Sequence, residues 1–368
     1  MNQINYNYKE FLKKLRERHL KKRKPKDKNK PIAVWIQDDI YRDFNIGKSL
    51  TIILRTEGCY YAKEGGCLMC SYLMDSSPEK ITTENIINQF NFAIEKYKEK
   101  LKDLKDFSVK IFTSGSFLDD REVPKEARDY IFKKLSGFCN LKEVAIESRP
   151  EFIDDDKLNE IRNYLDVNVE IGVGIESFNE EIREKAINKG ITNEQIIRAI
   201  ELAKNYNIGI KAYLLIKPLF ITEKEAIDDA IYSANKCIEL GCSRISFCPA
   251  TIHKGSVMEL FFNKNQYRPP FLWSIIEILK NVKENNPNTL IMCDTSGVGS
   301  ERGAHNPYGC KCNKLIKEKL EKFTLTQDLN VLNIECECKK LWEAYIEVES
   351  KNIVPLGDER KIFSSIDY

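Results

Sequence analysis

Short β-branched and apolar runs alternate with longer charged, amphipathic segments between residues 50 and 294. The runs cover residues 50–55, 108–113, 142–147, 167–174, 209–216, 243–248 and 288–293. Between most of them, apolar residues recur with the period of a helix, as in 83–104 and 193–206. Strands separated by helices in this way predict βα units and a parallel sheet. Six or seven units predict an α/β fold, a full or partial barrel, with functional side chains at the carboxyl ends of the strands.

The rest of the chain divides into two smaller regions on either side of this barrel. We expect a basic N-terminal extension over 1–49, the barrel over 50–294 and a small cysteine-containing C-terminal domain over 295–368. The formal net charge of the 368 residues is only +2, so no field of the whole molecule attracts polyanions. Between residues 9 and 30, however, lysines and arginines far outnumber acids. This segment is either an arm that neutralises phosphates or a solvated helix and linker.

Twelve cysteines are an unusual number for such a chain. No apolar secretory signal precedes residue 50, and no stretch approaches the length of a transmembrane helix. We therefore expect a cytoplasmic location and no membrane partner. In a reducing compartment, clustered cysteines bind metals more often than they form disulfides. Cys139, Cys237 and Cys242 sit among apolar residues and are expected in the core.

Cys59, Cys67 and Cys70 follow the first predicted strand directly. Three thiolates are one ligand short of the closed four-ligand site of a structural zinc. With three cysteine ligands, a [4Fe–4S] cluster keeps one open iron that a small molecule can occupy. The alternatives are a zinc site whose fourth ligand lies elsewhere and three unrelated thiols. We favour the cluster, which predicts redox chemistry.

The next three predicted strands end in polar groups. Ser114-Gly115-Ser116 follows the second strand, and its small residues allow a ligand to approach the backbone closely. Arg149 follows the third strand and suits a carboxylate, which its planar fork can bind with two hydrogen bonds. Glu176 ends the fourth strand and can accept hydrogen bonds from a ribose or an amine, or else pair with a nearby Lys or Arg. Together these groups match S-adenosylmethionine, which presents an amino-acid end, a ribose and an adenine.

With these strand ends, residues 50–290 resemble the radical S-adenosylmethionine superfamily, in the branch that contains the elongator catalytic subunit. The chain departs from the superfamily pattern in the longer spacing between Cys59 and Cys67. The resemblance implies a partial (βα)6-type TIM barrel with a [4Fe–4S] cluster and S-adenosylmethionine as cofactors. Its implied cofactor contacts are Met69 beside the adenine site, Ser114, Gly115 and Ser116 at the methionine amino group, Arg149 at its carboxylate, Glu176 at the ribose, and Glu147 in the same binding site.

Motifs in the second half narrow this resemblance to the radical enzymes of archaeosine synthesis. They are Lys217-Pro218, Ser246–Pro249, His253–Gly255, Tyr267–Trp273 and Cys293–Gly297. The resemblance implies a lyase that acts on tRNA, with an electron donor and a partner subunit that attaches lysine to a deazaguanine. A 5′-deoxyadenosyl radical would then lead to cleavage of the lysine carbon–nitrogen bond. Candidate substrate contacts are Lys217 for the lysyl carboxylate, Asp294 for its ammonium group, and His253; each has a purely structural alternative.

Two other functions remain open from the sequence. One is a different radical tRNA-modifying enzyme, of the transferase type. The other is a non-catalytic, metal-stabilised tRNA-binding subunit whose barrel has lost its chemistry. That second function is disfavoured because the chain retains the residues of the expected cofactor site, namely Cys59, Cys67, Cys70, Arg149 and Glu176.

Two C-x-C pairs follow the barrel. They comprise Cys310 with Cys312 and Cys336 with Cys338. Four thiolates from two loops satisfy tetrahedral zinc, and a second iron–sulfur cluster is the alternative. Cys293 and His305 are candidate substitutes among the ligands. The remaining interpretation is four reduced thiols in an irregular domain.

Overall fold

The computed structural model of the chain describes residues 8–21, 23–352 and 355. Parts of two predicted regions therefore lie outside the described residues. These parts are 1–7 and 22 of the basic extension, and 353–354 and 356–368 of the C-terminal domain. All the site residues predicted above fall within the described ranges.

Within the described residues, eight strands form one sheet whose spatial order follows the order of the sequence. The strands are β1 (Ala33–Ile40), β2 (Ile46–Ile53), β3 (Phe107–Phe112), β4 (Leu141–Glu147), β5 (Asn168–Glu176), β6 (Gly209–Ile216), β7 (Arg244–Pro249) and β8 (Leu290–Cys293). β1 and β2 are antiparallel, whereas β2 to β5 pair in parallel and β7 pairs in parallel with β8. Sequential parallel strands joined by helices have the topology of a partial (βα) barrel, so the predicted fold class is confirmed.

Twelve α-helices lie in the described part of the chain together with the strands. They are α1 (Tyr8–Leu20), α2 (Tyr60–Lys63), α3 (Thr83–Asp103), α4 (Lys125–Leu135), α5 (Asp155–Arg162), α6 (Glu180–Ile182), α7 (Asn193–Asn205), α8 (Glu223–Leu240), α9 (Val257–Asn263), α10 (Leu272–Asn285), α11 (Cys312–Thr326) and α12 (Cys338–Asn352). Short 3₁₀ turns lie at Tyr72–Asp75, Pro150–Phe152 and Leu329–Leu332, and a π-helical turn at Arg183–Ile187. Three long helices begin with a capping box, in which Thr82, Thr192 or Thr222 accepts a backbone hydrogen bond from the first turn. Such caps typically stabilise a helix start by about 1 kcal/mol.

All seven predicted strands are present within a few residues of their expected bounds. Four consecutive residues of β2, Ser49–Ile52, are buried, as expected of a strand with both faces covered. β1 was not predicted from the sequence, because the polar residues at 37–39 interrupt its apolar run. Buried Asp39 is accommodated there by Lys110 of β3, whose Nζ lies 2.7 Å from its carboxylate.

Contacts divide the chain into two compact units. The first consists of Met1–Gly66, Cys70–Gly174 and Ile191–Lys211, to the extent that these are described. It holds β1 to β4 and most of β5, with α3 packed against α4. Its core includes fully buried side chains from three adjacent strands, namely Leu50, Ile52, Val109, Ile111, Val144 and Ile146.

The second unit consists of Cys67–Met69, Ile175–Gly190 and the described part of Ala212–Tyr368. Here α8 packs against α10 and α12, and β7 pairs with β8. The rings of Phe271 and Tyr345 meet edge to face with 5.0 Å between their centroids. The indole of Trp342 in α12 donates a 2.8 Å hydrogen bond to the hydroxyl of Ser274 in α10. These contacts join α12 to the rest of its unit.

All twelve cysteines are described, and none forms a disulfide. Cys237 and Cys242 are buried as predicted, but the prediction for Cys139 was wrong, since its side chain is exposed. Cys139 lies in the loop between α4 and β4 and not within either element. Among the described helices, none is long and apolar enough to cross a bilayer.

Candidate functional site

The loop after β2 carries the three clustered cysteines. Cys59 directly precedes the short helix α2, and Cys70 directly precedes the segment that leads into the 3₁₀ turn at Tyr72. Cys59 and Cys70 belong to the first compact unit, and both are half-buried. Cys67 is buried and belongs to the second unit, with Leu68 and Met69. The Leu68 N–H donates to the carbonyl of Ile187 at 2.9 Å, and its own carbonyl accepts from Val257 at 3.0 Å.

Helix α1 contacts this loop through a buried arginine. The Arg16 guanidinium donates hydrogen bonds to the main-chain carbonyls of Gly65 and Cys70. Leu12, one turn earlier on the same face, is also buried, whereas Lys13, Lys14 and Arg18 are exposed. The extension therefore combines a buried face that holds the cysteine loop with a basic face that is open to solvent. Neither the arm nor the solvated helix predicted from the sequence includes this buried contact.

Gly115 at the end of β3 passes directly beside Cys59. A Cβ atom at position 115 would lie 2.7 Å from the Cα and 2.8 Å from the Cβ of Cys59, and 2.2 Å from Oε2 of Glu122. These distances are far below van der Waals contact. Glycine is therefore required here by close packing, and the predicted cofactor residue Gly115 is brought against a predicted cluster ligand.

A buried carboxyl group, Glu122, organises this strand end. Its Oε1 accepts a 2.6 Å hydrogen bond from the Thr56 hydroxyl, and its Oε2 accepts one of 2.7 Å from the N–H of Ser116. Burial raises the pKa of Glu122, while these hydrogen bonds oppose the rise. Glu122 was not predicted from the sequence, because an acid near a strand end carries no motif of its own.

Arg149 is brought to the same place. Its backbone N–H donates to the Ser116 hydroxyl at 3.0 Å, which joins two predicted cofactor residues. Its guanidinium lies 4.6 Å from the Tyr61 ring centroid and donates to Glu151. Tyr60 donates to the same carboxylate at 2.8 Å, and burial together with Glu151 raises the pKa of Tyr60 to about 12. Arg149 is 6% exposed, and a carboxylate and an aromatic face already orient its guanidinium.

Glu176 lies in the second unit with a positive φ of 67°. Its carboxylate accepts from Lys189 Nζ at 2.6 Å, so the ion pair considered as an alternative from the sequence is present. The next residue, Ser177, donates to the buried Asp229 at 2.7 Å. Burial raises the pKa of Asp229 to about 6, although Ser177, Ser233 and Arg183 lower it.

Lys217 directly follows β6 and is fully buried. Its Nζ lies 2.5 Å from a carboxylate oxygen of Glu223, which is itself 0% exposed. Burial raises the pKa of Glu223, but the charges of Lys217 and Arg268 outweigh this and lower it below its usual value. Lys217 has a φ of 61°, a rare conformation for a residue other than glycine, and its carbonyl accepts a 2.6 Å hydrogen bond from Tyr267. This is the buried ion pair that the sequence offered as the structural alternative.

The other two predicted substrate residues lie after later strands. Asp294 follows β8 and is exposed, and its carboxylate accepts a 2.9 Å hydrogen bond from the N–H of Ser296. His253 follows β7 and is half-buried, and its carbonyl accepts from the Ser256 hydroxyl at 2.7 Å. Glu147 forms the last residue of β4, where its carbonyl accepts from the N–H of Phe117 at 2.8 Å.

The four C-terminal cysteines converge, as the two C-x-C pairs predicted. Their sulfur atoms all lie within 4.8 Å of one another, with 3.6 Å between Cys310 and Cys336 and 3.4 Å between Cys312 and Cys338. Within the described residues, neither Cys293 nor His305 belongs to this group.

The model of the radical SAM superfamily matches residues 53–230. An uncharacterised protein of Methanocaldococcus jannaschii is 90% identical over 98% of this chain and its own full length. Archaeosine synthase subunit beta of Methanosarcina acetivorans is 38% identical over 89% of this chain and 92% of its own length. Archaeosine synthase subunit beta of Thermococcus kodakarensis is 37% identical over 82% of this chain and 92% of its own length. Among solved structures, an N-terminally truncated Elp3 from Methanocaldococcus infernus has a TM-score of 0.47 at 14% identity, covering 65% of this chain and 59% of that chain.

Proposed function

Because this chain belongs to the archaeosine synthase beta-subunit family of radical SAM enzymes, we propose that it completes archaeosine in tRNA. In the proposed reaction the enzyme cleaves the lysine carbon–nitrogen bond of a lysyl-deazaguanine adduct, which leaves the amidine of archaeosine. The observation that carries the proposal is the 38% identity to an archaeosine synthase subunit beta along 92% of that protein. A match of this extent includes 89% of this chain.

Cys59, Cys67 and Cys70 are proposed to hold the [4Fe–4S] cluster. The donor set fits, since three cysteines leave one iron open for S-adenosylmethionine. The packing of Gly115 against Cys59 and the bonds from Arg16 to this loop support a preformed site. When bound between these residues, the cluster and S-adenosylmethionine would supply radical chemistry for an unreactive carbon–hydrogen bond of the substrate.

The residues of the strand ends are proposed to orient S-adenosylmethionine. Arg149 would bind the methionine carboxylate, a role supported by its burial and by its fixed position over Tyr61. Charge-assisted hydrogen bonds are strongest where water is excluded. The remaining proposed contacts are Ser114, Gly115 and Ser116 for the amino group, Glu176 for the ribose, Met69 beside the adenine, and Glu147 in the same binding site.

For the lysyl group, Asp294 and Lys217 are proposed as the two charged contacts. Asp294 is exposed and can accept an ammonium group without losing a buried partner. Lys217 is bound to Glu223, so contact with a substrate carboxylate requires exchange of that ion pair. His253 is proposed to face either the substrate or a phosphate.

The proposed function also requires partners. Relatives with the name subunit beta support a second subunit, for which we propose the lysine-transferring enzyme, together with an electron donor. The exposed Lys13, Lys14 and Arg18 of α1 are proposed to contact tRNA phosphates.

The decisive experiment is deoxyadenosine release by anaerobically reconstituted protein with dithionite and S-adenosylmethionine. It compares unmodified tRNA with tRNA that carries the lysyl-deazaguanine adduct. Release stimulated by the adduct alone, with archaeosine formed, is the expected result. Release that ignores the adduct would retain radical chemistry and reject this substrate. Cys70→Ala should abolish release while tRNA binding persists, and Cys139→Ala, which changes an exposed cysteine, serves as the matched control.

A further inference from the structure

The four C-terminal sulfur atoms are spaced as the ligands of a single metal ion. Zinc–sulfur bonds of about 2.3 Å in a tetrahedron place the sulfur atoms about 3.8 Å apart. The two closest contacts, at 3.6 and 3.4 Å, fall near that value, and all four atoms lie within 4.8 Å of one another. A small movement of side chains would therefore complete the tetrahedron.

The spacing of the sulfur atoms also distinguishes a site for a single metal ion from a site for an iron–sulfur cluster. In a [4Fe–4S] cube each cysteine binds a different iron, so its four sulfur atoms are spread around the cube. Four sulfur atoms drawn together as tightly as these have room between them for one ion only. Four protein ligands also close the coordination shell, which is the pattern of structural sites and not of catalytic ones.

Hydrogen-bond donors lie beside two of the four sulfur atoms. The Trp273 indole N–H donates to Cys338 at 3.4 Å, and the Asn306 side-chain amide donates to Cys312 at 3.3 Å. Cys312 and Cys338 are the first residues of α11 and α12, whose N-terminal ends favour negative charge. Donors of this kind orient metal ligands and offset their negative charge.

We propose that Cys310, Cys312, Cys336 and Cys338 bind one Zn²⁺ in a closed structural site that fixes the starts of α11 and α12. This site lies beyond the radical chemistry proposed above. Zinc is preferred because four thiolates suit this ion in tetrahedral geometry and its role requires no redox change.

Zinc binding would also stabilise the surroundings of the buried Lys217, because α12 packs beside this residue. The Tyr345 ring of this helix lies 5.7 Å from Lys217 Nζ. Further along α12, the Glu349 carboxylate accepts a hydrogen bond from the backbone N–H of Glu223, the partner of Lys217. Fixing the first residue of α12 therefore fixes a helix that packs over the Lys217–Glu223 ion pair.

The test measures zinc and iron per chain in protein purified without added metal. Wild type should hold about one zinc ion at this site. The Cys336→Ser/Cys338→Ser variant should lose it, whereas Cys139→Ser should keep it. A Cys59→Ser/Cys67→Ser/Cys70→Ser variant should also keep its zinc while losing S-adenosylmethionine cleavage, so failure of this proposal and failure of the proposed function are distinguishable. The proposal would be overturned if the Cys336→Ser/Cys338→Ser variant lost iron and not zinc, or if it held the same metals as wild type.

A milder pair of variants covers the case in which loss of two ligands prevents folding. Trp273→Phe removes a hydrogen bond to Cys338 but no ligand, and should weaken zinc binding by about 10–100-fold in competition with a chelator. Trp342→Phe is the matched control, because this indole donates to Ser274 and not to a sulfur atom. Equal zinc affinity in the two variants would contradict the proposed site.

Discussion

The guanidinium of Arg16 donates a hydrogen bond to the main-chain carbonyl of Cys70, with 2.7 Å between Nη1 and the oxygen. The same side chain donates to the carbonyl of Gly65 and is 7% exposed. A buried charge is costly unless it is hydrogen-bonded. Arg16 therefore stabilises one conformation of the loop that contains the proposed cluster ligands, and the loop in turn accommodates the arginine.

Arg16→Ala should impair retention of the iron–sulfur cluster. The change removes charge-assisted hydrogen bonds to two carbonyl groups, each worth roughly 1.5–3 kcal/mol. Iron content and deoxyadenosine release after anaerobic reconstitution measure the effect. Arg18→Ala, which changes an exposed arginine of the same helix, should leave the iron content unchanged. Wild-type iron content in Arg16→Ala would show that the loop holds its conformation without this contact.

Gly115→Ala should disrupt the cysteine loop at a different point. The new methyl group would lie 2.7 Å from the Cα of Cys59, so backbone must move, and overpacking of this kind typically costs about 1–3 kcal/mol. We expect lower iron content and slower S-adenosylmethionine cleavage. The matched control is Gly137→Ala, where the nearest atom to the new Cβ is 3.4 Å away. Equal activity of the two variants would rule out a steric requirement at position 115.

Lys217 and Glu223 can be tested as a pair. Lys217→Met leaves the Glu223 carboxylate buried without its cation, and breaking such a pair commonly costs about 3–5 kcal/mol in the free energy of unfolding. Lys217→Met/Glu223→Gln should recover most of that loss, as chemical denaturation can measure. If activity returns together with stability, the lysine is structural. Activity that stays absent in a stable double variant would support contact between Lys217 and the substrate.

Asp229 should make stability depend on pH. Because its pKa is raised from 3.8 to about 6, the stability it contributes is present below pH 3.8 and is lost as the pH rises through about 6. The full difference corresponds to roughly 3 kcal/mol. Urea unfolding between pH 4 and 7 should therefore show a smaller decline with rising pH for Asp229→Asn than for wild type. The same decline in both proteins would mean that this carboxyl titrates normally.

Regular elements and short motifs could be predicted from the sequence, whereas contacts between distant segments could not. The apolar runs predicted β2 to β8, since β-branched residues buried on both faces mark parallel strands. The two C-x-C pairs predicted the convergence of four thiols. Glu122 and Arg16 were missed because their partners lie far away in the sequence, at Thr56 and Cys70. Each residue is typical of a charged surface position until the fold buries it.

Helix α1 has a buried face that contacts the cysteine loop and an exposed basic face, so a truncation cannot separate the effects of the two faces. Removal of the first thirty residues would delete the exposed basic side chains and, with them, Arg16 and its bonds to the cysteine loop. Weak tRNA binding by the truncated protein would therefore have two explanations, the loss of basic side chains and a changed conformation of the cysteine loop. Charge reversal at Lys13, Lys14 and Arg18, with Leu12 and Arg16 retained, separates the proposed electrostatic attraction of RNA from the support that Arg16 gives to the loop with the proposed cluster ligands.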